Sequence, residues 1–166
     1  MHQSTANISG VWTNSAPFFQ DSRGWLCPAM TNTTPIKDIN WVLQNISRSK
    51  HNVLRGLHYQ TTNPQNKFIT VIEGEIQDII ADLRPDSPTY GQFSCYDLSA
   101  KKENQIFIPK GCAHGFLVTS EEDALISYLA DDLYTPEAEK TLLWNHPDWN
   151  FPWKNSSPIL SEKDSD

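Results

Sequence analysis

The densest grouping of chemically capable side chains in this 166-residue sequence is Val53-Leu-Arg-Gly-Leu-His-Tyr-Gln60, where Arg55 and His58 stand three apart with Gly56 between them. A histidine titrates near neutral pH and is the usual general acid or base. The glycine can let a ligand come close to the backbone. Further along, Lys67 opens a run of strand-forming residues, and His114 lies in Ile108-Pro-Lys-Gly-Cys-Ala-His-Gly-Phe116. Tyr128 and Tyr134 follow, and Asp164 stands close to the last residue. Taken singly, each has a structural reading as well: a packed or surface histidine at 58, a solvated edge charge at 67, a structural histidine at 114, core or rim tyrosines at 128 and 134, and a frayed terminal charge at 164. Spacing alone does not connect them.

A metal site built from histidines on neighbouring strands would show two histidines separated by one residue, then a carboxylate and a later histidine. His58 is followed instead by Tyr59 and Gln60, so the ligand cluster is missing and neither a metal nor another cofactor is expected. Cys27, Cys95 and Cys112 are odd in number, far apart and without a C-x-x-C pair, and they read as reduced, structural thiols.

The elements that must carry these residues are strands. Residues 68–72, a Glu73-Gly74-Glu75 hairpin turn and residues 76–83 form the clearest pair, closed by the proline-bearing loop 84–88. Residues 90–98 and 104–108 read as further strands, and 115–119 with 124–129 as another hairpin. No segment has a long helical period, so the expected fold class is all-β, a sandwich or barrel. The first ~40 residues are irregular by this reading. The tail from Trp144, with Pro147, Pro152 and Pro158 beside Trp149 and Trp153, carries too much aromatic surface to stay unpacked and is expected across the barrel.

Bulk properties narrow the partners. The length suits one domain, and a net charge of -7 argues against a nucleic-acid footprint. No apolar run approaches a bilayer span and residues 1–10 lack a signal pattern, so a soluble, cytoplasmic protein with no membrane partner is expected.

In chain order, Arg55-Gly-Leu-His-Tyr-Gln60, Asp82-Leu-Arg-Pro-Asp-Ser-Pro-Thr-Tyr-Gly91, Ile108-Pro-Lys-Gly-Cys-Ala-His-Gly-Phe-Leu117 and Tyr134-Thr-Pro-Glu-Ala-Glu139 resemble the signature of the dTDP-4-dehydrorhamnose 3,5-epimerase family, the RmlC-like cupins. Asp21-Ser-Arg-Gly24, Asn45-Ile-Ser-Arg-Ser49, Trp144-Asn-His-Pro147 and Pro158-Ile-Leu-Ser-Glu-Lys-Asp164 extend the likeness over nearly the whole chain. The resemblance implies a cupin-type jelly-roll barrel. It makes His58 the base that takes a proton beside a C4 ketone, with Asp164 as its support, Lys67 facing the developing oxyanion and Tyr128 returning a proton from the opposite face. It implies that Tyr134 stacks on the nucleotide base, that Arg55 and His114 lie near the sugar or its phosphates, and that Phe19, Asn45 and Gln60 complete the substrate contacts. Arg23 would reach the diphosphate from the neighbouring subunit of a strand-exchanged homodimer, the guanidinium fork suiting phosphate.

Two positions depart from the family pattern: Pro28 stands where an acid is usual, and Leu43 where a glutamine is. Both belong to the nucleotide side of the implied site. The expected activity is therefore 3,5-epimerisation of a dTDP-4-keto-6-deoxy sugar, with a single-site (C3 or C5) epimerase of another nucleotide sugar and a non-catalytic nucleotide-sugar-binding cupin as the alternatives.

Overall fold

Short runs of β-branched and aromatic residues, each ended by Gly, Pro, Asn or Asp, favour antiparallel sheet over helix. The computed structural model describes residues 7–31 and 36–165. Its strands are β1 (Trp12–Asn14), β2 (Phe19–Asp21), β3 (Gly24–Leu26), β4 (Leu43–Ser49), β5 (Leu54–Gln60), β6 (Lys67–Glu73), β7 (Glu75–Asp82), β8 (Phe93–Ser99), β9 (Gln105–Ile108), β10 (Cys112–Val118), β11 (Ala124–Ala130) and β12 (Glu139–Thr141), with a single 3-10 turn at Pro136–Ala138 and a short α-helix, α1 (Glu162–Ser165), among the described residues. Among the described residues no helix is long and apolar enough to cross a membrane.

Two five-stranded sheets face each other, in the orders β1-β9-β6-β11-β4 and β12-β5-β10-β7-β8, and β2 pairs with β3 as a separate hairpin. From β4 to β7 the chain alternates between the sheets, β7 and β8 pair with each other, and β9 to β12 alternate again. This is a cupin-type jelly roll.

That route corrects two expected hairpins. β6 and β7, joined through Gly74, go to opposite sheets, and so do β10 and β11. Gly74 makes a corner rather than a hairpin turn: its φ is 80°, and a Cβ there would stand 2.8 Å from Ser120 Oγ and 2.9 Å from Ala124 Cα. β8 begins at Phe93 rather than at residue 90, because the preceding loop folds back onto the buried Asp82, which accepts from Arg84, Ser87 and Thr89. The irregular amino-terminal segment carries three short strands, of which β1 extends one sheet by pairing with β9.

The space between the sheets is filled by Ile69, Val71, Ile76, Ile80, Ile106, Val118 and Ile126 among others. A second cluster forms on the other face of β7, where Ile79 and Ala81 join Phe93, Trp149 and Phe151. Period-two alternation puts Ile76 and Ile80 inside and Ile79 and Ala81 outside, yet both faces are buried because the tail covers the outer one. Trp149 stacks on Phe151 with centroids 5.5 Å apart, and Gln77 fastens the strap by donating to Pro152 O and accepting from the Lys154 amide. Each buried aromatic of this kind contributes about 2–3 kcal/mol.

Candidate active site

One end of the space between the sheets is left open as a cavity of about 420 Å³. Alternation decides which side chains enter it. From one sheet come Leu43, Asn45 and Ser47 of β4, Lys67 and Ile69 of β6, and Ile126 and Tyr128 of β11, in each case residues two apart. His114 and Phe116 of β10 follow the same rule on the facing sheet.

β5 breaks the rule. Arg55 and His58 both line the cavity although three residues apart, which strict alternation would put on opposite faces. Between them the register against β10 shifts: His114 lies across from His58, but Phe116 lies across from Arg55. Gly56 and Gly115 meet at this bulge, and a Cβ on Gly56 would fall 2.5 Å from Gly115 Cα and 2.6 Å from His114 O. The two glycines are what allow one strand to present both an arginine and a histidine to the same cavity.

His58 Nε2 lies 2.6 Å from Asp164 Oδ1. Asp164 is buried in α1, and burial by itself would raise its pKa, but hydrogen bonds from His58 and Ser161 outweigh that and hold the carboxyl below its ordinary value. An ionised carboxylate only accepts, so the imidazole proton belongs on Nε2 and the lone pair on Nδ1. Nδ1 has Glu139 Oε1 at 4.0 Å, too far for a hydrogen bond. Glu139 also accepts from Tyr134 OH at 2.6 Å and from Lys163 Nζ. Although burial opposes it, those bonds keep the Glu139 carboxyl low as well.

Lys67 makes no side-chain hydrogen bond among the described residues, and burial pulls its pKa down against the attraction of Glu139 and Asp78. Its three ammonium protons are thus not engaged by any side chain among the described residues and are available to a ligand in the cavity that Lys67 lines. Tyr128, beside Asn45 and Ile69 in register, presents its phenol from the sheet opposite His58. His114 Nε2 is 2.7 Å from Oδ2 of Asp78, whose carboxyl burial pushes upward against the pull of His114. Arg55 donates from Nε to Ser49 Oγ at 2.9 Å, its terminal nitrogens remaining without an acceptor among the described residues.

Of the expected site residues, His58, Tyr128, Lys67, Asn45, Arg55, Gln60, His114 and Tyr134 line this cavity, and Asp164 adjoins it through His58. Gln60 does so with its amide fully engaged: Nε2 donates to Asn63 O and Leu133 O, and Oε1 accepts from the Thr135 amide. Its work here is to hold the loop that carries Tyr134. Phe19 and Arg23 lie apart on the β2–β3 hairpin, where Phe19 is exposed and Arg23 pairs with Asp21. Sequence reasoning gave no role to Glu139, Lys163 or Asp78. Glu139 reaches the cavity because β12 pairs with β5, some eighty residues away, a contact no local pattern announces. Among the described residues no group of three or more His, Cys, Asp or Glu is arranged to hold a metal ion.

The model of the dTDP-4-dehydrorhamnose 3,5-epimerase family matches residues 5–166. A dTDP-4-dehydrorhamnose 3,5-epimerase of Neisseria gonorrhoeae is 40% identical over 157 residues, covering 93% of this chain and 46% of the relative. The chain therefore spans about half the length of that curated relative. The structure of a dTDP-4-dehydrorhamnose 3,5-epimerase from Bacillus anthracis with TDP and PPi bound superposes with a TM-score of 0.87 at 34% identity, covering 96% of this chain and 94% of that one. The Legionella pneumophila dTDP-6-deoxy-D-glucose-3,5-epimerase, solved in complex with dTDP-4-keto-L-rhamnose, gives a TM-score of 0.87 at 34% identity over 96% of this chain and 87% of that one.

Proposed function

Since the chain belongs to the dTDP-4-dehydrorhamnose 3,5-epimerase family, we propose that it is an isomerase that inverts C3 and C5 of a dTDP-linked 4-keto-6-deoxy sugar. The observation that carries this reading is the facing of one imidazole and one phenol from opposite walls of a single cavity, with the Lys67 ammonium, which makes no hydrogen bond among the described residues, on the strand beside that of the phenol. Inversion requires removal of a proton from one face of a carbon and its return from the other, and two different groups on two sides are the minimum equipment.

His58 Nδ1 takes the proton beside the C4 ketone while Asp164 holds Nε2–H and balances the imidazolium that forms. Electrons move onto the ketone oxygen, and Lys67 donates to the resulting enolate oxygen. The Tyr128 phenol then protonates the carbon from the far side and is itself reprotonated from solvent, while His58 gives its proton up to solvent and is again unprotonated at Nδ1. A second round at the other carbon, with the ring reseated, completes the double inversion. The relatives solved with TDP and with dTDP-4-keto-L-rhamnose support a nucleotide-sugar substrate.

The remaining pieces of this reading concern assembly and place. Phe19, Trp25 and Leu26 on the β2–β3 hairpin are exposed, as are Val42 and Ile46 on and beside β4, whose outer edge has no strand partner among the described residues. These support a homodimer in which the hairpin carries Arg23 to the diphosphate in the partner's cavity. Three free cysteines suit a reducing, cytoplasmic setting.

The deciding experiment is incubation with dTDP-4-keto-6-deoxyglucose in deuterium oxide, followed by NMR. Deuterium is expected at both C3 and C5. Deuterium at one carbon only would make the protein a single-site epimerase, and tight binding with no exchange would leave only a binding module.

A further inference from the structure

Asp164 is gripped at both carboxylate oxygens. Oδ1 accepts from His58 Nε2, and Oδ2 accepts from the Ser161 hydroxyl at 2.8 Å. Ser161 immediately precedes α1, and its carbonyl takes the Asp164 amide proton at 3.1 Å. One residue therefore fixes Asp164 through backbone and side chain together.

The reach of the tail makes that grip matter. The last backbone anchor before α1 is Ile159, which accepts from the Leu54 amide at 3.0 Å and donates to Asn52 O at 2.8 Å. Asp164 lies five positions further on, in a helix of four residues, too short to be rigid alone. The Gly56 backbone also donates to this carboxylate, but Ser161 supplies the one further side-chain bond among the described residues, and without it the carboxylate could turn about its terminal torsion, which is broad and roughly two-fold. The imidazole proton would then be free to pass to Nδ1, the nitrogen that must stay unprotonated. Ser161 is exposed and is not among the cavity residues, so it has no path to the substrate itself.

We infer that Ser161 is a positioning residue that fixes the tautomer of His58 through Asp164. The inference rests on His58 being the base of the proposed reaction, but it concerns the arrangement of the imidazole and is testable without substrate. The hydroxyl donates to Oδ2, Oδ1 stays turned to Nε2–H, and the lone pair stays on Nδ1.

The test is 15N–1H NMR of the imidazole rings in the full chain, unsubstituted and with Ser161→Ala or Ser161→Thr. Unsubstituted protein should show His58 as a single Nε2–H tautomer with a slowly exchanging ring proton. Ser161→Ala should show mixed tautomers or loss of that proton, and Ser161→Thr, which keeps a hydroxyl, should restore it. In turnover, Ser161→Ala should lower kcat about tenfold with KM within about twofold. Adding it to Asp164→Ala should cost nothing more, since its effect runs through that carboxylate. An unchanged His58 signature in Ser161→Ala would overturn the inference, as would an equal loss of activity in the Asp164→Ala background. If the unsubstituted protein exchanged no sugar proton, the epimerase reading would fall, while the imidazole spectra would still decide the role of Ser161.

Discussion

A free imidazole distributes its proton between two nitrogens, and a C–H beside a ketone is too weak an acid for it to remove unaided. In the proposed reaction His58 would meet the first difficulty through Asp164 and the second through Lys67, whose ammonium makes no hydrogen bond among the described residues. His58→Ala and Tyr128→Phe should each lower deuterium exchange by roughly 100- to 10,000-fold. Their folding should be intact, since neither empties much core, and circular dichroism and thermal melts check this. Insoluble protein in both cases would mean that core residues had been mistaken for catalytic ones. Lys67 gives a prediction with a definite sign. Burial has pulled its pKa below that of an ordinary lysine, so the donor is lost as pH rises through that lowered value, and kcat should fall on the alkaline side sooner than a solvated lysine would dictate. Its contribution to stability runs the other way. Between the lowered folded value and the ordinary unfolded value the unfolded chain binds more protons, so stability from this group rises with pH. A kcat profile measured beside thermal midpoints separates the two. In Lys67→Arg, where the cation persists, the alkaline limb should move upward, and a limb that stays put belongs to another group. At this scale much was legible, because Arg55 and His58 announce themselves by type and closeness. Asp78 and Glu139 did not: one looks like a polar position in an alternating strand, and the other is brought in by a distant strand pairing.

At the scale of elements, β5 shows what residue types alone cannot convey. Strand existence was readable from apolar runs and turn residues, and β6, β7, β9 and β11 lie close to where the sequence puts them. Pairing was not, because a glycine says that the chain turns and not into which sheet it turns. Gly74 is read as a hairpin and acts as a corner, and the cavity exists because β6 and β7 part company there. The bulge at Gly56 is a subtler case, since alternation would have put Arg55 or His58 outside. Gly56→Ala should therefore destabilise the fold by about 3 kcal/mol or more, since the new methyl meets Gly115 backbone at 2.5 Å and the φ of 113° suits glycine alone. Chemical denaturation measures the loss. A Gly56→Ala protein as stable as the parent, with normal exchange, would mean that the bulge does not set the geometry of the site.

At the scale of the whole molecule, the proposed substrate raises the question of how its diphosphate end would be held. The cavity offers Arg55 and His114 near its polar lining, while Arg23 stands on the separate β2–β3 hairpin with an 88% exposed side chain, paired among the described residues with Asp21. A hairpin of two three-residue strands with Phe19, Trp25 and Leu26 exposed leaves a large apolar surface in water, and burial against a second copy would remove that cost. If the hairpin completes the partner's site, each active centre takes His58 from one chain and Arg23 from the other. Arg23→Ala and His58→Ala proteins, each nearly inactive when alone, should then complement one another. Unfolding and refolding an equal mixture would make half the dimers mixed, each with one site carrying both intact residues, so exchange should recover to roughly a quarter of the unsubstituted rate. Sedimentation should report a dimer throughout. If the hairpin instead folds back over its own cavity, no mixed dimer gains an intact site, and the mixture would show only the average of its two components.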